Sequence, residues 1–173
     1  MSFQLEKQKK IVLENFRESP SFQILFICSG NIIRSPYAHL LFEHLIQGEP
    51  ELEKIRIESG GVTYRNDSIS WESRDLLLKE GVSIERIAKF IPRYALDYPE
   101  MFQQADLVLV MEKNHYQKIP QKIREKSFLL LEFTMGISEN IPDPYFDPPY
   151  ERSFQMINEA LVKLKEFFKE YSK

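Results

Sequence analysis

FQILFICSGNIIRSP, residues 22–36, decides the fold. Phe22–Ile27 is a short, nearly continuous apolar run rich in aromatic and β-branched residues, the pattern of a strand buried on both faces. It runs directly into Cys28-Ser29-Gly30-Asn31-Ile32-Ile33-Arg34 and then Ser35-Pro36. Serine is a preferred N-cap and proline suits the first helical position, so a helix is expected to start there. Ala38, Leu41, Phe42 and Leu45 then recur with the spacing of one helical face, and Gly48 supplies a stop. The expected unit is strand, short loop, helix.

The same alternation continues on either side. Upstream, residues 3–17 read as an amphipathic helix with Leu5, Ile11, Val12 and Phe16 toward one face, broken at Ser19-Pro20-Ser21. Downstream, Ile55–Glu58 alternates like a strand stopped by Gly60-Gly61. A helix is expected over Trp71–Glu80 before Gly81, with short helical pieces at Ile84–Ala88 and Pro99–Gln104. Leu107–Met111 reads as a third strand, Lys113–Ile119 as a short helix ended by Pro120, and Phe128–Leu131 as a fourth strand. Residues 133–150 read as a Pro- and Asp-rich loop, and 151–171 as a helix with Phe154, Ile157, Leu161, Leu164 and Phe168 at helical spacing. Strands alternating with helices imply a parallel sheet with right-handed crossovers, whose ligands bind beyond the carboxyl ends of the strands. The expected fold is therefore a single three-layer α/β domain, residues 21–173, preceded by a helical extension, residues 1–20.

Composition narrows the function. The 173 residues suit one domain, and 43% hydrophobic with 28% charged residues is ordinary globular usage, not that of a disordered chain. A net charge of −3 offers no field for nucleic acid or an anionic membrane, so neither is an expected partner. No apolar run approaches a membrane span, and the charged start lacks a signal-peptide core, so a cytoplasmic location is expected. The one cysteine cannot form an internal disulfide, a redox pair or a Cys-rich zinc site, and His39, His44 and His115 lack metal-ligand spacing. Chemistry without metal or other cofactor is the expectation.

Cys28 and Arg34 bracket a loop containing Gly30 and Asn31, residues that tolerate sharp or left-handed backbone. Curled inward ahead of a helix N-terminus, such a loop presents backbone N–H groups to a phosphate-like dianion. Arg34 can grip its oxygens bidentately, and the same positive groups favour the nucleophilic thiolate of Cys28. The hydroxyl of Ser35 lies close enough in sequence to hydrogen-bond that thiolate. Cleaving an aryl phosphate also calls for a proton donor. Asp143 and Asp147, in IPDPYFDPPY at 141–150, are the candidates, and the flanking aromatics could sit over a substrate ring.

With CSGNIIRSP at 28–36 and DPYF at 143–146, the chain resembles the low-molecular-weight protein tyrosine phosphatases, whose signature is C-x5-R-S after the first strand and a late D-P-[YF] acid loop. ESGGV (58–62), ADLVLVMEKNH (105–115) and FLLLEF (128–133) also resemble family segments, so the likeness covers residues 22–171. It implies a four-stranded parallel sheet of flavodoxin-like order 2-1-3-4. It also implies Cys28 as nucleophile, Arg34 as phosphate and transition-state ligand, Asn31 as shaper of the loop and Ser35 as support for the thiolate. The backbone of Ser29, Gly30, Asn31, Ile32 and Ile33 would complete the oxyanion cradle. Asp143 would be the general acid, its spacing favouring it over Asp147, and Tyr145 and Phe146 would wall the ring. The implied partner is a protein carrying phosphotyrosine.

The chain departs from the family in places. Ile33 stands where many members carry a second cysteine, so a protective disulfide is impossible and oxidation of Cys28 should pass more readily to irreversible acids. A family histidine that buttresses the loop has its place taken by Arg86. Asp147 follows the acid-loop aromatics where glycine is common, and the N-terminal helix is an addition. Related arginine phosphatases carry threonine at the position of Ile32, so Ile32 favours phosphotyrosine over phosphoarginine. Related arsenate reductases need further cysteines, which this chain lacks. A non-catalytic phosphoprotein-binding module would be expected to have lost Cys28, Arg34 or the acid, and all are present.

Overall fold

The computed structural model describes residues 2–173. An N-terminal helix, α1 (Phe3–Glu18), leads into strand β1 (Phe22–Cys28), helix α2 (Arg34–Ile46) and strand β2 (Ile55–Gly61). Helices α3 (Trp71–Lys79), α4 (Ile84–Ala88) and α5 (Pro99–Gln104) precede strand β3 (Leu107–Val110) and helix α6 (Lys113–Lys118). Strand β4 (Ser127–Leu129), helix α7 (Leu130–Met135) and helix α8 (Tyr150–Tyr171) follow. The strands are parallel in the order β2-β1-β3-β4, as expected.

The alternation within β1 explains the three layers. Phe22, Ile24, Phe26 and Cys28 face a core shared with α1, α2 and α8, whereas Leu25 and Ile27 face a second cluster with Met101, Phe102 and Ile119. Both faces are covered, so β1 reads as a continuous apolar run. Its neighbours lie on opposite sides, β2 on one and β3 on the other. The carboxyl end of β1, where Cys28 sits, is therefore the point at which strand order reverses.

Several boundaries depart from expectation for local reasons. Helix α2 begins at Arg34, with Ile33 as its N-cap and no side-chain cap, so Ser35 lies inside the first turn. Its hydroxyl is consequently free to serve the loop. Strand β2 continues through Gly60 and Gly61, with Gly61 paired to Cys28. A Cβ on Gly61 would lie 2.8 Å from the carbonyl oxygen of Ser29, so only glycine lets the loop cross this strand end. Strand β4 stops at Leu129, and α7 occupies residues expected to be strand or loop, burying Phe133 against Phe128 and ending on left-handed Gly136.

In α1 the buried residues are Val12, Leu13 and Phe16, while Ile11 faces solvent, a rotation of the expected stripe. The Phe16 ring lies 4.5 Å from that of Phe168 and 5.3 Å from that of Phe22. Lys54 donates to the carbonyls of Phe16 and Ser19 at the end of α1, a favourable place for a cation. Among the described residues, no helix is long and apolar enough to cross a membrane.

Candidate active site

The segment from Cys28 to Arg34 is held from behind by one amide. Asn31 is fully buried at φ 55°, a left-handed conformation that asparagine tolerates better than most residues. Its Nδ2 donates to Ser35 Oγ (2.8 Å) and Ser59 Oγ (3.0 Å), and its Oδ1 accepts from the backbone N–H of Arg93 (3.0 Å). Because Ser35 Oγ already accepts from Asn31, its proton is available to Cys28 Sγ, 2.9 Å away. The N–H of Asn31 also donates to that sulfur (3.3 Å). The amides of Ser29, Gly30, Ile32, Ile33 and Arg34 have no acceptor among the described residues. The loop thus turns donors toward the thiol and leaves further donors for an anion.

The buttress behind Asn31 contains a histidine that the sequence reading did not assign to it. Ser59 Oγ meets His39 Nδ1 at 2.8 Å, and His39 Nε2 meets Glu43 Oε1 at 3.0 Å. His39 of α2 is therefore the histidine that stands behind the loop in this chain. Arg86 joins the same network, clamping Glu43 with bonds of 2.8 and 3.0 Å. Burial raises the Glu43 carboxyl, but the hydrogen bonds from His39 and Arg86 outweigh it and hold the group down at about 2.

Arg34 is buried, so its charge requires partners. Nη1 bonds Glu112 and the carbonyl of Ile141 (2.7 Å), and Nη2 reaches Asp143 (3.1 Å) and Ser29 Oγ (3.3 Å). Glu112 follows the end of β3, beside the end of β1, and Asp143 comes from the loop before α8. Three segments distant in sequence therefore meet on one guanidinium. The backbone N–H of Tyr145 fixes Asp143 by bonding its Oδ1 (3.1 Å).

Cys28 and Arg34, though scarcely exposed, both line a cavity of about 430 Å³. Ser29, Gly30, Ile32, Ile33 and Asp143 share it, and Tyr145 and Phe146 stand at its edge with 77% and 69% exposure, accessible to a ligand. Asp147 does not line this cavity; it lies in an exposed part of the loop. Tyr64 and Asn66 complete the wall, and Asn66 Nδ2 pins the carbonyl of Gly30 (3.0 Å). Neither was foreseen, nor were Ser59, Arg93, Glu112 and His115. Of these, Glu112 alone had a usable signal, since it follows a strand at the switch point. No group of three or more His, Cys, Asp or Glu side chains among the described residues is placed to hold a metal ion.

Cysteine-based phosphatase chemistry is the class that this sheet and loop define. Residues 23–173 match the family described as low molecular weight phosphotyrosine protein phosphatase, and the chain belongs to that family. It is 27% identical over 155 residues to a low molecular weight phosphotyrosine protein phosphatase of Gallus gallus, covering 85% of this chain and 93% of that one. It is also 29% identical over 126 residues to a protein-arginine-phosphatase of Bacillus subtilis, covering 70% and 79%. Among solved structures, a mutant of YwlE from Bacillus subtilis superposes with a TM-score of 0.71 at 26% identity, covering 88% of this chain and all of that one. The relatives thus divide between two phosphoamino acids, and kinship alone does not select one.

Proposed function

We propose that the protein hydrolyses phosphotyrosine in protein substrates through a phosphocysteine intermediate, without a metal. The observation carrying this reading is that Cys28, Arg34 and Asp143 line one cavity whose remaining walls include Ile32, Tyr64, Tyr145 and Phe146. A flat aromatic ring fits between such walls, each ring contact contributing about 0.5–1.5 kcal/mol. The short side chain of phosphoserine would leave its phosphate above the sulfur.

In the first step the Cys28 thiolate attacks phosphorus and the P–O bond to the phenol breaks. Asp143 gives its proton to the leaving oxygen, while Arg34 and the loop amides hold the equatorial oxygens. In the second step water attacks phosphorus and the P–S bond breaks. Asp143 takes the water's proton, inorganic phosphate leaves, and the Ser35 hydroxyl donates to the restored thiolate.

Phosphoarginine is the second reading, favoured by the likeness to the Bacillus arginine phosphatase and by the Asp143 carboxylate, which could pair with a substrate guanidinium. Steady-state rates on phosphotyrosine, phosphoserine and phosphoarginine peptides decide between them. The tyrosine reading requires kcat/KM on phosphotyrosine to exceed that on phosphoarginine by at least tenfold; equal or reversed rates overturn it. Turnover should survive chelator and vanish in Cys28→Ser. Asp143→Ala should slow poor leaving groups far more than activated ones, and the same pattern in Asp147→Ala would reassign the acid.

A further inference from the structure

His115, on α6, takes no part in the steps above, yet it is fully buried beside the loop. Its Nδ1 accepts the backbone N–H of Glu112 (3.1 Å), so that nitrogen carries no proton. Burial first, then the nearby charges of Arg34 and Lys118, lower its pKa to about 3, so the ring is neutral. A neutral imidazole with an accepting Nδ1 has its proton on Nε2, and Nε2 lies 2.9 Å from Ser29 Oγ. The tautomer is thereby set by the main chain.

The serine hydroxyl is then accounted for. One lone pair receives the Nε2–H of His115 and the other faces Arg34 Nη2 at 3.3 Å. A hydroxyl whose two acceptor positions are occupied can only donate. No acceptor for that proton exists among the described residues, and Ser29 lines the cavity beside Cys28. We propose that Ser29 is a side-chain phosphate donor in the oxyanion site, held in donor orientation by His115 as a positioning residue. The inference rests on the phosphatase reading and deepens it. It gives the loop a hydroxyl donor in addition to the backbone amides and Arg34, and makes the imidazole a fixed strut rather than an acid or base.

The test is the inhibition constant of inorganic phosphate, with kcat and KM on an aryl phosphate, for the wild type, Ser29→Ala, His115→Leu, His115→Gln and the double variant Ser29→Ala/His115→Leu. Ser29→Ala should weaken phosphate about tenfold, as loss of a hydrogen bond to a charged group does. His115→Leu should weaken it comparably in the wild-type background and by less than twofold in Ser29→Ala. His115→Gln, whose amide can still donate to Ser29, should recover most of the affinity. Should His115→Leu fail to fold, His115→Gln and the imidazole ¹⁵N shifts of the wild type carry the test. Those shifts should show a neutral Nε2–H ring from pH 5 to 8 whose Nε2–H resonance moves on adding phosphate. An unchanged phosphate constant in Ser29→Ala, an Nδ1–H tautomer, or equal losses from His115→Leu in both backgrounds would overturn the proposal. A wild-type protein that neither binds phosphate nor turns over aryl phosphate would overturn the phosphatase reading itself, and this inference with it.

Discussion

Replacing Asn31 by alanine tests whether loop shape controls catalysis. Three hydrogen bonds are removed, two from Nδ2 and one to Oδ1. At about 1 kcal/mol each they sum to about 3 kcal/mol. The backbone at φ 55° also becomes harder to hold, since alanine lacks the local bonding that lets asparagine occupy this region, adding about 1 kcal/mol. The total, about 4 kcal/mol, is the support that the active loop loses. Relaxation of the loop releases part of it, so the global stability of Asn31→Ala should fall by only about 2 kcal/mol in urea denaturation. The full amount must be supplied again whenever the loop adopts its phosphate-binding shape, so kcat/KM on an aryl phosphate should fall by roughly 10²–10³. Asn31→Gly, which restores backbone freedom but no hydrogen bond, should lie about fivefold above Asn31→Ala. Activity of Asn31→Ala within threefold of wild type, or Asn31→Gly no better than Asn31→Ala, would refute the reasoning.

Phe16→Ala should cost about 3–5 kcal/mol by urea denaturation, because the ring is fully buried against Phe22 and Phe168; a loss below 1 kcal/mol would make α1 a detachable arm. Gly61→Ala should lower both thermal stability and kcat/KM, since its Cβ would meet the Ser29 carbonyl at 2.8 Å; unchanged kinetics would mean that the loop can shift freely. Stability should also fall on acidification in two windows, followed by urea denaturation at stepped pH. His115 has a folded pKa of about 3 against 6.5, so the unfolded chain binds the proton first and stability is lost from about pH 6.5 down to 3. Glu43 has a folded pKa of about 2 against 4.5, so its contribution is present above 4.5 and lost toward 2, and Glu43→Gln should flatten that lower limb.

The strand–loop–helix unit and the loop that brings Asp143 to the cavity were legible because the residues that define them are contiguous. Cys28, Arg34 and Ser35 sit in one stretch, and Asp143 among prolines and aromatics in another. What supports them was hidden by distance. Ser59 and His39 reach Asn31 only because β2 lies beside β1 with α2 packed over it, and His115 reaches Ser29 only because β3 lies on the other side. His39 and His115 looked like isolated histidines, since no local spacing marks a residue whose partner arrives through sheet order. Helix α7 was missed for the opposite reason. FLLLEF suits a strand locally, and the burial of Phe133 against Phe128 decides otherwise.

The aromatic cluster of Phe16, Phe22 and Phe168 bears on how the chain is born. Phe22 opens the central strand, yet Phe168, the ring lying 5.5 Å from it, is translated roughly 150 residues later. At ribosomal speeds of about 5–20 residues per second, the apolar β1 waits roughly 7–30 s for that ring. During this interval the face of the strand that carries Phe22, Ile24 and Phe26 lacks its α8 cover, so the yield of folded protein in a cell should depend on whatever shields that face until α8 arrives.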